Sequence, residues 1–129
     1  MVRNPYAHAE GIIRRNNTSA EYAANFVLKC LRFQKRNKIE VKNSLFISYE
    51  DLCDKKDEVM RKIQDFIPEL NDINSDLEFS AHNFKTKGKM KVRSLNAEKI
   101  EKLTKDQMRE INSHFIKERE LLGGILVFF

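Results

Sequence analysis

Glycine, proline and cysteine are all scarce in this chain, and each scarcity closes off a chemistry. The glycines are Gly11, Gly88, Gly123 and Gly124. They provide neither a Gly-x-Ser-x-Gly nucleophile elbow nor a glycine-rich phosphate loop. Cys30 and Cys53 lie far apart and form no CxxC pair, so they read as reduced, half-buried thiols of an intracellular protein. His8, His82 and His114 stand singly, without the spacing that presents two imidazoles to one metal ion, and no metal is expected. No apolar run approaches the roughly 18 residues that mark a membrane span. Met1 leads directly into polar sequence with no signal-peptide h-region, and the location expected is cytoplasmic.

What the chain does hold is charge, unevenly spread. Residues 1–42 carry nine Lys/Arg against three Asp/Glu, residues 43–81 four against ten, and residues 82–129 eleven against six. The balances are +6, −6 and +5, matching the formal net charge of +5. Basic ends around an acidic middle either pair within the fold or leave one face that draws anions. The length of 129 residues corresponds to a single domain, or part of one, able to bury a core.

The most informative stretch is residues 1–15. It reads as a strand end turning at once into a helix. Asn4 is a good N-cap, and Pro5 falls at the first helical position, where its missing N–H costs nothing. A helix start of this kind is a potential anion site, with free N–H groups and the positive dipole end. Arg3 stands there with a planar fork suited to phosphate. An ordinary strand-end arginine in a surface ion pair is the alternative.

Further along, Thr18 and Glu21 are spaced as a capping box. Ala20, Ala23, Ala24, Val27, Cys30 and Leu31 then form the buried stripe of a long helix. Ser44–Tyr49 reads as a central strand whose consecutive Leu45, Phe46 and Ile47 fit burial on both faces. Val59, Met60, Ile63, Phe66 and Ile67 mark an amphipathic helix ending before Pro68. Residues 69–80 read as a polar loop, and residues 82–93 as a basic one with Gly88 at its centre. A helix opened by the Thr104–Gln107 capping box carries Met108, Ile111, Phe115 and Leu122 on its buried side and is expected to stop at Gly123-Gly124. Helices are thus expected near 5–15, 19–37, 54–67 and 104–122. The apolar tail 125–129 reads as a buried strand or a self-associating end.

Two stretches resemble a known family. Val2-Arg3-Asn4-Pro5-Tyr6 with Ala9-Glu10-Gly11-Ile12 is similar to the second nucleotide-binding segment of the sulfotransferases that use 3′-phosphoadenosine 5′-phosphosulfate (PAPS). Leu45 to Leu52, with Tyr49-Glu50-Asp51-Leu52, is similar to that family's strand ending in Tyr-Glu-Asp-Leu. The resemblance implies that Arg3 holds the nucleotide's 3′-phosphate and that Lys87 and Gly88 belong to a late basic-glycine loop touching the same group. It implies an α/β, helix-dominated fold: the C-terminal half of a P-loop-type sulfotransferase, with a short parallel sheet flanked by helices. The activity implied is sulfuryl transfer from PAPS to a hydroxyl or amine acceptor. The family's Pro-Lys-x-Gly-Thr-Thr-type loop and the region of its general base have no counterpart here. Residues 1–129 are therefore expected to be a partial domain, inactive alone, with an N-terminal half or a second copy as partner besides nucleotide and acceptor. The family also places a serine where this chain has Gly11.

A reading from a different class also stands. The chain would be a non-enzymatic basic module that binds nucleic acid or another polyanion through Arg14, Arg15, Lys35, Arg36 and residues 85–93. Single-strand binders interleave several aromatics with such charge, and residues 85–93 are preceded only by Phe84.

Overall fold

The computed structural model describes residues 1–70 and 91–126. Among the described residues seven helices follow one another: α1 (Pro5–Asn16), α2 (Ala20–Glu40), α3 (Tyr49–Asp54), α4 (Lys56–Phe66), α5 (Asn96–Ile100), α6 (Lys105–Lys117) and α7 (Arg119–Leu126). The termini obey local chemistry. The Asn4 side chain accepts from Tyr6 N and Ala7 N, and α1 closes on Asn17 in the left-handed region at φ 48°, a conformation that asparagine tolerates. The Thr104–Gln107 capping box is formed. The one expected at Thr18 is not: Ser19 is the cap of α2 and accepts from Tyr22 N.

The expected parallel sheet is a correction. Among the described residues there is no strand, only an isolated parallel bridge between Val2 and Ser48. Val2 N donates to Ile47 O at 3.0 Å, and Tyr49 N donates to Val2 O at 2.7 Å. The cause is a lack of partners. Of the described residues before α1, Val2 alone bridges to the segment 44–48, so no ladder propagates. Leu45, Phe46 and Ile47 are accordingly half-buried, not enclosed on both faces. Tyr49 already belongs to α3.

The core lies between α1, α2, α6 and α7. Ala9 and Ile12 meet Ala20, Ala23, Ala24, Val27, Leu28 and Leu31, closed by Ile111, Phe115, Leu121 and Leu122. Small alanines bring α1 and α2 close together, as ridge-and-groove packing needs. Tyr6 seals one end: its ring meets Phe115 edge-on at 5.2 Å, and its hydroxyl donates to Asn112 Oδ1 at 2.8 Å. The expected helix 104–122 is split at Glu118. The expected stop at Gly123-Gly124 also fails, since α7 continues to Leu126. A helical glycine costs about 1 kcal/mol, and the burial of Leu121 and Leu122 in the turn before contributes more than that for each leucine. No described helix is long and apolar enough to cross a membrane.

Candidate anion-binding cleft

Val2 and Arg3 are consecutive residues of an extended segment, and their side chains take opposite sides. Val2 lines a largely apolar hollow of about 390 Å³ with Ile39, Phe46, Ile47 and Leu121. Arg3 lines a smaller, charged cleft of about 260 Å³. Lys35, Lys38, Lys62, Asp51 and Glu120 also border the first, so cations and carboxylates mix there, whereas the lining charges of the second are all positive among the described residues.

The flank of α1 forms the floor of this cleft. His8, Gly11 and Arg15 recur at helical spacing and line it together with Ala7 and Ile12, while Phe26 comes from α2 and Lys99 from α5. Three permanent cations, Arg3, Arg15 and Lys99, therefore share one cavity with His8, and among the described residues no carboxylate lines it. Glu10 is buried and accepts from Arg14 Nε and from Lys99 Nζ, both at 3.1 Å. One carboxylate thus restrains two cations, and Arg15 makes no ion pair among the described residues. An anion entering the cleft meets a positive surplus in a partly desolvated site, where charge counts for more than in bulk water.

Arg3 is held by a polar relay. Its Nε donates to Asn96 Oδ1 at 2.8 Å, and its guanidinium lies 4.2 Å from the centre of the Tyr49 ring. Asn96 Nδ2 donates in turn to Glu50 Oε1, which also accepts Asn4 N at 2.9 Å. Tyr49 is fixed at its far end: its hydroxyl donates to Arg93 O at 3.0 Å and accepts Leu95 N at 3.3 Å. Arg3 Nη2 is buried with no protein partner among the described residues. The guanidinium is thus stacked on the Tyr49 ring with one nitrogen anchored and another unpaired, and a planar cation of this kind suits an oxyanion.

Burial pushes the His8 imidazole below its ordinary pKa, and the nearby Arg3 and Arg15 push it the same way. Burial raises the Tyr49 phenol and the Cys53 thiol, so both stay protonated near neutral pH. Both cysteines are free and half-buried. Among the described residues no three His, Cys, Asp or Glu side chains gather as around a metal ion.

The residues singled out from the sequence meet mixed outcomes. Arg3 lies in the cleft and so does Gly11, eight residues on. The helix start itself is occupied: Tyr6 N and Ala7 N bond Asn4, and Asn4 N bonds Glu50. The anion-facing surface is therefore the flank of α1 rather than its terminus. Lys87 and Gly88 fall outside the described residues. Glu50 and Asp51 occupy the first turn of α3, and Glu50 serves as a structural acceptor. Sequence reasoning named Arg15 only for the polyanion reading, and it missed His8, Phe26, Lys99 and Asn96. The spacing of His8, Gly11 and Arg15 was a usable signal, whereas nothing in the sequence ties Lys99 or Asn96 to Arg3. Comparison with protein-family models, with curated proteins and with solved structures finds no match to this chain.

Proposed function

We propose that the cleft binds the phosphate of PAPS or of its product adenosine 3′,5′-bisphosphate, as the resemblance to the sulfotransferases implies. One observation carries the reading: Arg3, the arginine of the resembling segment, shares a cavity with Arg15, Lys99 and His8 around Gly11. In this reading Arg3 and Arg15 neutralise the phosphate, and the Glu50–Asn96 relay holds the Arg3 fork in place. Lys87 and Gly88 would add contacts to the same group. Sulfuryl transfer by this chain alone is not expected, because the loop that grips the transferring group has no counterpart in it. Preorganised charge supplies most of the rate of such reactions.

The test is a calorimetric titration with adenosine 3′,5′-bisphosphate at low ionic strength. Binding is expected to weaken as salt rises. Arg3→Ala is expected to reduce affinity about ten- to a hundredfold, the worth of a charge-assisted contact of roughly 1.5–3 kcal/mol. Lys35→Ala, on the distant half of α2, should leave it unchanged. Equal losses from the two variants would end the assignment.

A second reading has its own observation. Tyr22, Phe26 and Phe33 are exposed along α2, and the Arg36 guanidinium stands over the Phe33 ring at 4.9 Å. Aromatics interleaved with Lys29, Lys35 and Arg36 fit a single-stranded polyanion. It predicts that single-stranded nucleic acid outcompetes the bisphosphate and that Arg3→Ala and Lys35→Ala matter equally.

A further inference from the structure

We propose that the apolar hollow on the Val2 side binds a free fatty acid, with the alkyl chain among Val2, Ile39, Phe46 and Ile47 and the carboxylate at Lys35 and Lys38. The site is separate from the Arg3 cleft and does not depend on the phosphate reading.

The hollow measures about 390 Å³, within the range of small-molecule sites. Residues of α2, α3, α4 and α7 line it together with Val2 and residues 46–48, so it is a concavity between elements and not one bare helix face. Its backbone wall is already paired: Val2 N donates to Ile47 O, Tyr49 N donates to Val2 O, and Asp51 N donates to Ser48 Oγ. Of the lining side chains, only Gln34 leaves a buried atom, Oε1, without a partner among the described residues. A peptide would bring an N–H and a C=O with every residue and leave most of them unpaired there. An alkyl chain brings none. Ile39, which lines the hollow, is 79% exposed, so a chain laid against it removes apolar surface from water. The rim sets the sign of the head group. Asp51 is answered by Lys55 Nζ at 3.5 Å and by the charge of Lys62. Lys35 and Lys38, three residues apart on α2, make no ion pair among the described residues, and Glu120 is the one lining carboxylate left to face them. One positive charge is left over, which suits a monoanion. Lysines at the mouth of an apolar cavity hold a carboxylate at the water boundary while the chain is buried.

The whole chain is titrated by calorimetry with octanoate, decanoate, decanol and decyltrimethylammonium, each below its micelle concentration. From octanoate to decanoate the affinity is expected to rise about tenfold, the worth of two buried methylenes. Decanoate should bind about fivefold tighter than decanol, the upper end for an exposed ion pair, and the cation should bind weakest. Lys35→Ala combined with Lys38→Ala should bring decanoate down to the level of decanol and leave decanol unchanged. Ile39→Asp, at a position too exposed for the fold to need it, should weaken both, with circular dichroism showing the helices intact. Arg3→Ala should leave decanoate binding unchanged, which keeps this site distinguishable from the cleft. Equal affinity for octanoate and decanoate overturns the inference, because charge alone would then hold the ligand. Equal affinity for decanoate and decanol overturns it in favour of a plain apolar site. Binding to anionic phospholipid vesicles that decanoate cannot displace overturns it in favour of a membrane surface. A dimer in sedimentation that Ile39→Asp dissociates, with no acid bound, overturns it in favour of a second copy of the chain. Binding of none of the four probes overturns it outright.

Discussion

The bundle of α1, α2, α6 and α7 and the arm formed by α3 and α4 are held by different forces. The bundle buries a continuous apolar cluster of twelve residues from Ala9 to Leu122. In the arm only Val59 is buried, and although α4 segregates its apolar residues as cleanly as any helix here, Phe66 is 44% and Ile67 39% exposed. Among the described residues, polar contacts tie the arm to the rest: the Val2 bridge, the Tyr49 hydroxyl and the Glu50 carboxylate. Amphipathicity states which face of a helix is apolar and not whether anything covers it. The cleft draws on both regions. Its floor belongs to the apolar bundle, while the residue at its mouth, Arg3, is set by the polar ties of the arm.

The largest expected effect separates the two regions directly. Ile111 of α6 is fully buried in the apolar cluster, and Ile111→Ala should destabilise the chain by about 2–5 kcal/mol. Phe66→Ala, which removes a larger side chain from the arm, should cost less than about 0.5 kcal/mol. Urea denaturation followed by circular dichroism measures both. A loss at Phe66 approaching that at Ile111 would mean that the face of α4 is covered in solution, and the comparison would fail.

Next comes the polar tie itself. Glu50→Ala strips the acceptor from Asn4 N and Asn96 Nδ2. A part-buried donor left unsatisfied costs about 1–3 kcal/mol. It should also weaken anion binding, because Asn96 no longer fixes Arg3. Glu50→Gln keeps one carbonyl acceptor and should recover most of the stability. If Glu50→Ala lowered stability without touching affinity, the relay would be structural only, and Arg3 would hold its position through Tyr49.

Legibility from the sequence divides along the same line. The α1 cap, the α2 stripe, the α6 capping box and the amphipathic α4 were all readable, because each depends on residues within a few positions of one another. Cys30 was placed in the stripe where Leu28 belongs, an error of one face edge. The sheet was misread because Leu45, Phe46 and Ile47 have strand propensity, but whether a strand forms is decided by its neighbours. The site was half legible: Arg3 and Gly11 lie in a recognisable local pattern, whereas Lys99 and Asn96 reach it only through the packing of α5 on α1. A contact spanning 93 residues, such as Arg3 to Asn96, leaves no local trace.

A smaller effect concerns pH. Burial and the neighbouring Arg3 and Arg15 hold the His8 pKa below its ordinary value of about 6.5. A base with a depressed folded pKa takes up its proton less readily in the folded than in the unfolded chain. Stability is therefore full above the unfolded value and is lost as the pH falls from about 6.5 through the lower folded one. His8→Gln should flatten the fall in Tm within that window. A bound anion should reverse the sense by favouring the imidazolium, so phosphate affinity should rise on acidification in the wild-type chain and less in His8→Gln. A Tm profile identical in the two proteins would place His8 outside the electrostatics of the cleft.

The smallest expected effect tests the floor of the cleft. Gly11 lies within α1, where glycine costs about 0.5–1 kcal/mol relative to alanine because the unfolded chain has more freedom to lose. An added Cβ there would meet nothing within 4 Å, so no clash offsets the gain. Gly11→Ala should therefore stabilise the bundle by about that amount. The methyl group would project into the cleft and has no hydrogen bond to offer, so it should not strengthen phosphate binding. Gly11→Ser should stabilise less, because serine is the poorer helix former, and its hydroxyl should tighten phosphate binding modestly. The two substitutions thus pull stability and affinity in different directions at one position. Serine and alanine variants with equal phosphate affinity would show that the bound anion does not reach the floor of α1, and would confine it to the mouth of the cleft beside Arg3.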